Sequence, residues 1–185
     1  MHADVELDLR AGLPGLAVIG LGAGPARDLR ERVQAAVLNS GFAFPRRRVT
    51  VNLAPPVSRG GAELDLAVAS CVLAAGGELD PARLRRIGLC AELGLGGELR
   101  GSGVGSVIAD AAAAAGLAGL LVASEDRDTA LLAQALPIAS ASTLLDVVKL
   151  LRSRRADGPS RPLSPPRVYG DPGHRRALSA GRRPP

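Results

Sequence analysis

The chemistry open to this 185-residue chain is bounded by a few reactive side chains: one lysine, Lys149; two histidines, His2 and His174; and two cysteines, Cys71 and Cys90. A Walker A loop needs G-x-x-x-x-G-K-[ST], because its lysine must reach the nucleotide phosphates. No lysine follows a glycine loop here. A serine–lysine hydrolase needs a lysine to take the hydroxyl proton. Only Lys149 is available, and it lies in the amphipathic run "DVVKLL", where a solvated role is expected. The histidines sit near opposite chain ends, and the cysteines are separated within apolar runs. No cluster has metal-ligand spacing, and the cysteines read as buried free thiols. No metal or cofactor is expected.

Three glycine-rich stretches remain as places for chemistry. "VIGLGAGPA" runs from a strand through Gly20, Gly22 and Gly24 into a helix. A dinucleotide turn needs its last glycine at position 25, which is proline, and an acid about 20 residues on for the ribose. A plain strand–turn–helix is expected. "GSGVGS" (Gly101–Ser106) also precedes a helix, where bare amides can bind anions, but glycines alone are a weak signal. "RGGAELDL" (Arg59–Leu66) is a loop set before a buried helix, with neither serine nor lysine in it. Asp65 reads as a first-turn acid or as a group orienting that loop. Glu125, Asp126 and Asp128 read as acids of a helix N-terminal turn, where the helix dipole favours them.

The elements that must position these loops follow from periodicity. "VELDL" and "RRRVTVNLA" alternate as half-buried strands, and "GLAVIGL" and "LAGLLVAS" read as more buried ones. Leu29, Val33, Ala36 and Val37 make one helical face, ended by Gly41. A helix covers roughly Leu64–Ala75. "RRIGLCAELGLGGELRG" predicts two strands in a hairpin about Gly94, Gly96 and Gly97. "SVIADAAAAAG" predicts a helix stopped by Gly116, and "EDRDTALLAQAL" another. "PIASA" is a short strand, and "STLLDVVKLLRSRR" a helix capped by Ser142. Helices and strands alternate around a hairpin, which predicts an α/β (α+β) fold in two layers, a mixed sheet with packed helices.

Hydrophobic residues make up 46% of the chain and aromatics only 2%, so the core must be aliphatic. The longest apolar stretch, Ala111–Ala123, holds 13 residues, against about 18 for a membrane span. The opening "MHADVELDLR" lacks the basic start of a signal peptide. A cytoplasmic protein without a membrane partner is expected. Charge divides unevenly. From Arg152 onward nine arginines and two aspartates give +7, whereas the remainder carries 14 basic and 16 acidic residues, net −2. Residues 154–185 are rich in Pro, Gly, Ser and Arg and short of apolar surface, which predicts a disordered tail after a domain spanning 1–153.

"VELDLRAGLPGLAVIGL", "RERVQAAVLNSGFAFPRRRVTVNLAP", "ELDLAVASCVLAAGG" and "AELGLGGELRG" together resemble the N-terminal domain of magnesium-chelatase-like AAA+ ATPases of the ComM/YifB type. The resemblance runs from about Val5 to Leu151. It implies the two-layer fold of Lon protease domains, an additional strand ahead of Val5, and a ring-forming ATPase module linked to DNA branch migration. "RVYGDPGHRRALSAG" resembles the first residues of that module, and the sequence ends at "GRRPP" before any nucleotide loop. The resemblance also places the serine of Lon-type proteases near Ala62 or Glu63 and its partner lysine near Ser106, and neither position holds the reactive residue. A non-catalytic scaffold or interaction module is therefore expected. Its partners would be an AAA+ ATPase or further copies of the chain. The alternative is a weak, non-specific nucleic-acid binder acting through Arg152, Arg154, Arg155, Arg161, Arg167, Arg175, Arg176, Arg182 and Arg183.

Overall fold

The computed structural model describes residues 3–57 and 61–153. In chain order these form β1 (Asp4–Arg10), β2 (Gly15–Leu21), α1 (Ala23–Asn39), β3 (Arg48–Val57), α2 (Asp65–Ala75), α3 (Pro81–Leu84), β4 (Ile87–Cys90), β5 (Glu92–Leu93), β6 (Leu99–Arg100), α4 (Gly105–Ala114), β7 (Gly119–Ala123), α5 (Arg127–Leu132), β8 (Ile138–Ala141) and α6 (Leu144–Ser153). Short 3-10 turns at Ala62–Leu64 and Ser124–Asp126 lead into α2 and α5. The α+β class expected from the sequence is the one observed. Its strands divide among three small sheets.

The first sheet has the order β1-β3-β2, with β1 antiparallel and β2 parallel to β3. Alternation sets its register. Val5, Leu7 and Leu9 oppose Leu53, Val51 and Val49, while Glu6 and Asp8 oppose Asn52 and Thr50. Val49, Val51 and Leu53 are buried, so a slip by one residue would turn a charged row inward. A parallel pair needs a crossover, and α1 supplies it, burying Leu29, Val33, Ala36 and Val37. Gly41, at φ +84°, ends α1. Its N–H donates to the Leu38 carbonyl and that of Phe42 to the Val37 carbonyl, the paired closure that favours glycine.

The second sheet, β4-β7-β8, is wholly parallel. One face, through Leu121 and Ala123, joins the core shared with α1, α2 and α6. The other, through Cys90, Leu120 and Val122, packs on Ala109, Ala112 and Ala130 of α4 and α5. That two-sided burial explains why β7 reads as a continuous apolar run. The largest fully buried side chains are all leucine and valine, as the scarcity of aromatics requires.

Three expectations change in detail. The run "RRIGLCAEL" is split at Ala91: β4 enters the parallel sheet, and only β5 pairs with β6 in the hairpin. The helix expected over "EDRDTALLAQAL" shrinks to Arg127–Leu132: Ser124–Asp126 form a 3-10 turn ahead of it, and Gln134 stands at φ +48° just past its end. The cap of α6 is Thr143 and not Ser142. Thr143 Oγ1 accepts the Asp146 N–H at 3.2 Å and donates to the Asp146 carboxylate at 2.7 Å, whereas Ser142 Oγ meets Ser124 Oγ at 3.0 Å. Thr143→Ala should therefore cost about 1 kcal/mol, read from urea midpoints, and Ser142→Ala close to nothing. Equal effects of the two would contradict this cap.

No helix among the described residues is long and apolar enough to cross a membrane.

Candidate functional site

The loop ahead of α2 is held from three sides. Gly61 stands at φ +116°, and a Cβ there would meet Leu21 Cδ1 at 3.0 Å. The Gly61 N–H donates to Glu63 Oε2 at 3.1 Å. The Ala91 N–H donates to the Glu63 carbonyl at 3.1 Å, and Leu66 N–H to the Ala91 carbonyl at 3.2 Å. These bonds pin the 3-10 turn to the β4–β5 junction. Ala62 and Glu63 both lie in that turn, partly buried. Arg59 and Gly60 lie outside the described residues.

Asp65, the first residue of α2, is fully buried. Both its oxygens are used by Arg32 of α1: Nε donates to Oδ2 at 2.6 Å and Nη2 to Oδ1 at 3.1 Å. Oδ2 also accepts the Leu93 N–H at 3.2 Å. One carboxylate thus ties α1, α2 and β5 together. It is the first-turn acid of α2 that the sequence suggested, and its bonds go to α1 and β5 and not to the loop before it. Burial pushes its pKa up to about 6, against the opposing pull of Arg32 and the Leu93 amide. The fork with Asp65 in turn raises Arg32.

The loop before α4 is occupied by the chain itself. Asp126, buried, accepts Ser102 N–H at 2.6 Å, Ser102 Oγ–H at 3.0 Å and Gly103 N–H at 2.8 Å. Glu125 accepts the Gly101 N–H at 2.7 Å. The amides that could have received an external anion therefore already face carboxylates. Gly105 is explained by packing: a Cβ there would come 2.7 Å from the Asp126 carbonyl oxygen and 2.8 Å from Ala130 N. Gly20 is explained similarly, with φ +88° and 2.5 Å between its would-be Cβ and Leu53 O, at the point where the β2–β3 register shifts. "VIGLGAGPA" is a bulged strand, a turn and a helix.

Cys90 closes β4 near both loops. Burial, then the carboxylates of Glu63 and Asp126, push its thiol up to about 12; Cys71, expected to be buried like Cys90, is only partly so, and desolvation pushes it up to about 11. Nucleophilic thiols are thiolates, and both shifts disfavour that form. Ser106 falls in the first turn of α4. Lys149 is on α6, 67% exposed and 3.8 Å from Asp146, beside an open groove of about 460 Å³ lined by Ser124, Ser140, Ser142 and Ser153. It has the solvated setting expected of it. Among the described residues no three His, Cys, Asp or Glu side chains converge as a metal centre requires. Arg152 is engaged by Glu78, through both the carbonyl and the carboxylate. The other eight arginines of the C-terminal series, and both histidines, lie outside the described residues.

The family of magnesium-chelatase subunit ChlI matches residues 5–126. The chain belongs to that family. Among curated relatives, this ChlI-family chain is 36% identical to competence protein ComM of Haemophilus influenzae over 151 residues, covering 81% of the chain and 30% of that protein. It is 40% identical to the uncharacterized protein YifB of Escherichia coli over 98 residues, 52% of the chain and 19% of YifB. The chain thus spans no more than 30% of the length of these relatives.

Sequence reading missed Arg32 at the site; it placed Glu125 and Asp126 in a helix N-terminal turn, where they stand, but not their bonds to the loop at Gly101–Gly103. No local signal separated Asp126 from Glu125, which is nearer the end of β7 and stays exposed; the partners of Asp126 are 23 and 24 positions away. For Arg32 there was none, since its partner is 33 positions away.

Proposed function

We propose that this ChlI-family chain is a non-catalytic, Lon-like domain of a ComM/YifB-type protein, a scaffold or interaction module serving a DNA-processing ATPase in the cytoplasm. The observation that carries this is the content of the two loops. Where the resemblance to Lon-type proteases sets a serine and a lysine, the chain has Ala62 or Glu63 and Ser106. The buried acids next to the two loops, Asp65 and Asp126, are each bonded to the chain's own groups, an arginine and backbone amides. The framework of a catalytic site is thereby kept rigid without a nucleophile or base. Rigidity suits a surface that must present a fixed shape to an ATPase module or to further copies of the chain.

Purified chain should hydrolyse neither ATP with magnesium nor unfolded casein. Turnover that survives purification and is abolished by Glu63→Ala or Ser106→Ala would overturn the reading.

A second reading, weak nucleic-acid binding through the arginines from Arg152 to Arg183, is favoured by the charge division: +7 in that segment against −2 elsewhere. Such binding is sequence-independent and weakens steeply with salt.

A further inference from the structure

The second sheet, β4-β7-β8, ends on β8, which among the described residues pairs with β7 alone. The Leu120 N–H donates to the Pro137 carbonyl at 3.0 Å, and this fixes the alternation of the parallel ladder. Ile138 and Ser140 therefore turn their own N–H and C=O groups away from β7, and no backbone group of the described residues takes them. Two residues on, the chain itself uses this edge. The Ser142 carbonyl accepts the Leu99 N–H at 2.8 Å, and Glu98 bridges Thr143 in the antiparallel sense. The chain then turns off at Gly101, whose N–H goes to Glu125. The line that a longer β6 would follow past Ser140 and Ile138 stays open.

Edge strands are commonly blunted by charge, proline or a bulge. β1 carries Asp4, Glu6, Asp8 and Arg10, and β2 is bulged at Gly20. β8, "IASA", has none of these. Through Ser140 and Ser142 it forms one wall of the open groove of about 460 Å³. The other wall is α6, through Asp146, Lys149, Leu150 and Ser153. Spacings of three and four residues put those four side chains on one stripe of the helix. A strand edge facing a helix stripe suits an extended peptide: the edge supplies main-chain hydrogen bonds, and the stripe reads alternate side chains. Charge then selects among peptides. Asp146 is engaged, accepting the Thr143 hydroxyl at 2.7 Å. Lys149 makes no hydrogen bond to the described residues, and Asp146 Oδ1 lies 3.8 Å from its ammonium. The donor left for a ligand is thus a cation. A nucleic-acid base would find no aromatic ring in this groove to stack on.

We propose that the groove between β8 and α6 docks an extended segment of a partner polypeptide, added as a strand to β8 and carrying an acidic side chain for Lys149. This deepens the interaction-module reading and rests on it.

The test uses the full chain, amide NMR spectra and three synthetic peptides: Thr-Val-Thr-Glu-Thr-Val-Thr and its versions with Gln or Lys at the centre. The Glu peptide, at millimolar concentration, should shift the amides of Ile138 and Ser140. The Gln and Lys peptides should bind about two- to fivefold more weakly, the range for an exposed ion pair. Lys149→Glu should reverse that order and prefer the Lys peptide. Ser140→Pro removes an outward N–H without touching a bond to β7, so it should abolish the shifts and still melt with the parent. If the proline variant fails to fold, the charge reversal, made at an exposed side chain, decides. The proposal is overturned if no peptide moves those amides, if the Glu and Lys peptides bind the parent alike, or if the shifts fall on β1 or β2. Dilution of the parent alone should leave the two amides unmoved; a shift with protein concentration would give the edge to a second copy and overturn the proposal. All of these outcomes leave the non-catalytic reading standing, which turnover of ATP or casein would overturn independently.

Discussion

Arg32→Met should lower the stability of this domain by about 3–5 kcal/mol near pH 8, because it strips the counter-charge from a carboxylate that is fully buried. At about 2–4 °C per kcal/mol for a domain of this size, the melting midpoint should fall by about 10 °C. The loss should shrink as pH falls, since the orphaned carboxyl of Asp65 can take a proton. Replacing both partners, in Arg32→Met/Asp65→Leu, should recover most of the loss, because a well-packed apolar pair avoids the desolvation of two charges. A single variant as stable as the parent would mean that the fork seen at 2.6 and 3.1 Å adds nothing.

The same pair sets a pH dependence whose sign can be worked out. The folded-state pKa of Asp65 is raised, from 3.8 to about 6. The folded state therefore binds the proton more tightly than the unfolded state. The carboxyl's contribution is most favourable below about pH 4 and is lost as pH rises through about 6. The difference amounts to about 3 kcal/mol. Asp65→Asn removes this titration, so its stability relative to the parent should improve between pH 4 and pH 7. Urea denaturation of both proteins at the two pH values measures it, and a relative change in the other direction would refute the assignment.

Asp126→Ala should be comparably damaging, at about 3–5 kcal/mol. It removes an ionised acceptor from the amides of Ser102 and Gly103 and from the Ser102 hydroxyl, and hydrogen bonds to charged groups contribute about 1.5–3 kcal/mol each. Asp126→Asn keeps the shape and one carbonyl acceptor and should lose less. Amide hydrogen exchange at residues 101–104 should accelerate in the alanine variant while β7 stays protected. Sulfate or phosphate offers a further check. The vacated amides of Asp126→Ala should gain stability from millimolar anion, and the parent should not, since its own carboxylates hold those positions.

Much of the architecture was legible because it depends on neighbours. Alternation in β1 and β3, the 3.6-residue face of α1 and the glycines at 41 and 116 each report a local preference for burial or for a left-handed backbone. Those preferences act over a few residues, so they survive in a bare string of letters. That "RGGAELDL" holds neither serine nor lysine was legible for a simpler reason: a side chain that is not encoded cannot be supplied by folding.

The carboxylates are where local reading stops. Asp65, Glu125, Asp126 and Asp128 all stand early in helices or turns, and by position alone they are equivalent. Folding separates them. Asp128 remains exposed beside Arg127. Asp126 is carried 24 positions back along the chain to the glycine loop, and Asp65 is buried beneath a guanidinium 33 positions away. The choice of Thr143 over Ser142 as a cap, and the division of one apolar run between two sheets at Ala91, have the same origin. Composition determined that this chain has an aliphatic core and a single lysine. Only the tertiary structure decided which charges it buries, because desolvation is felt only once other parts of the chain have displaced the water.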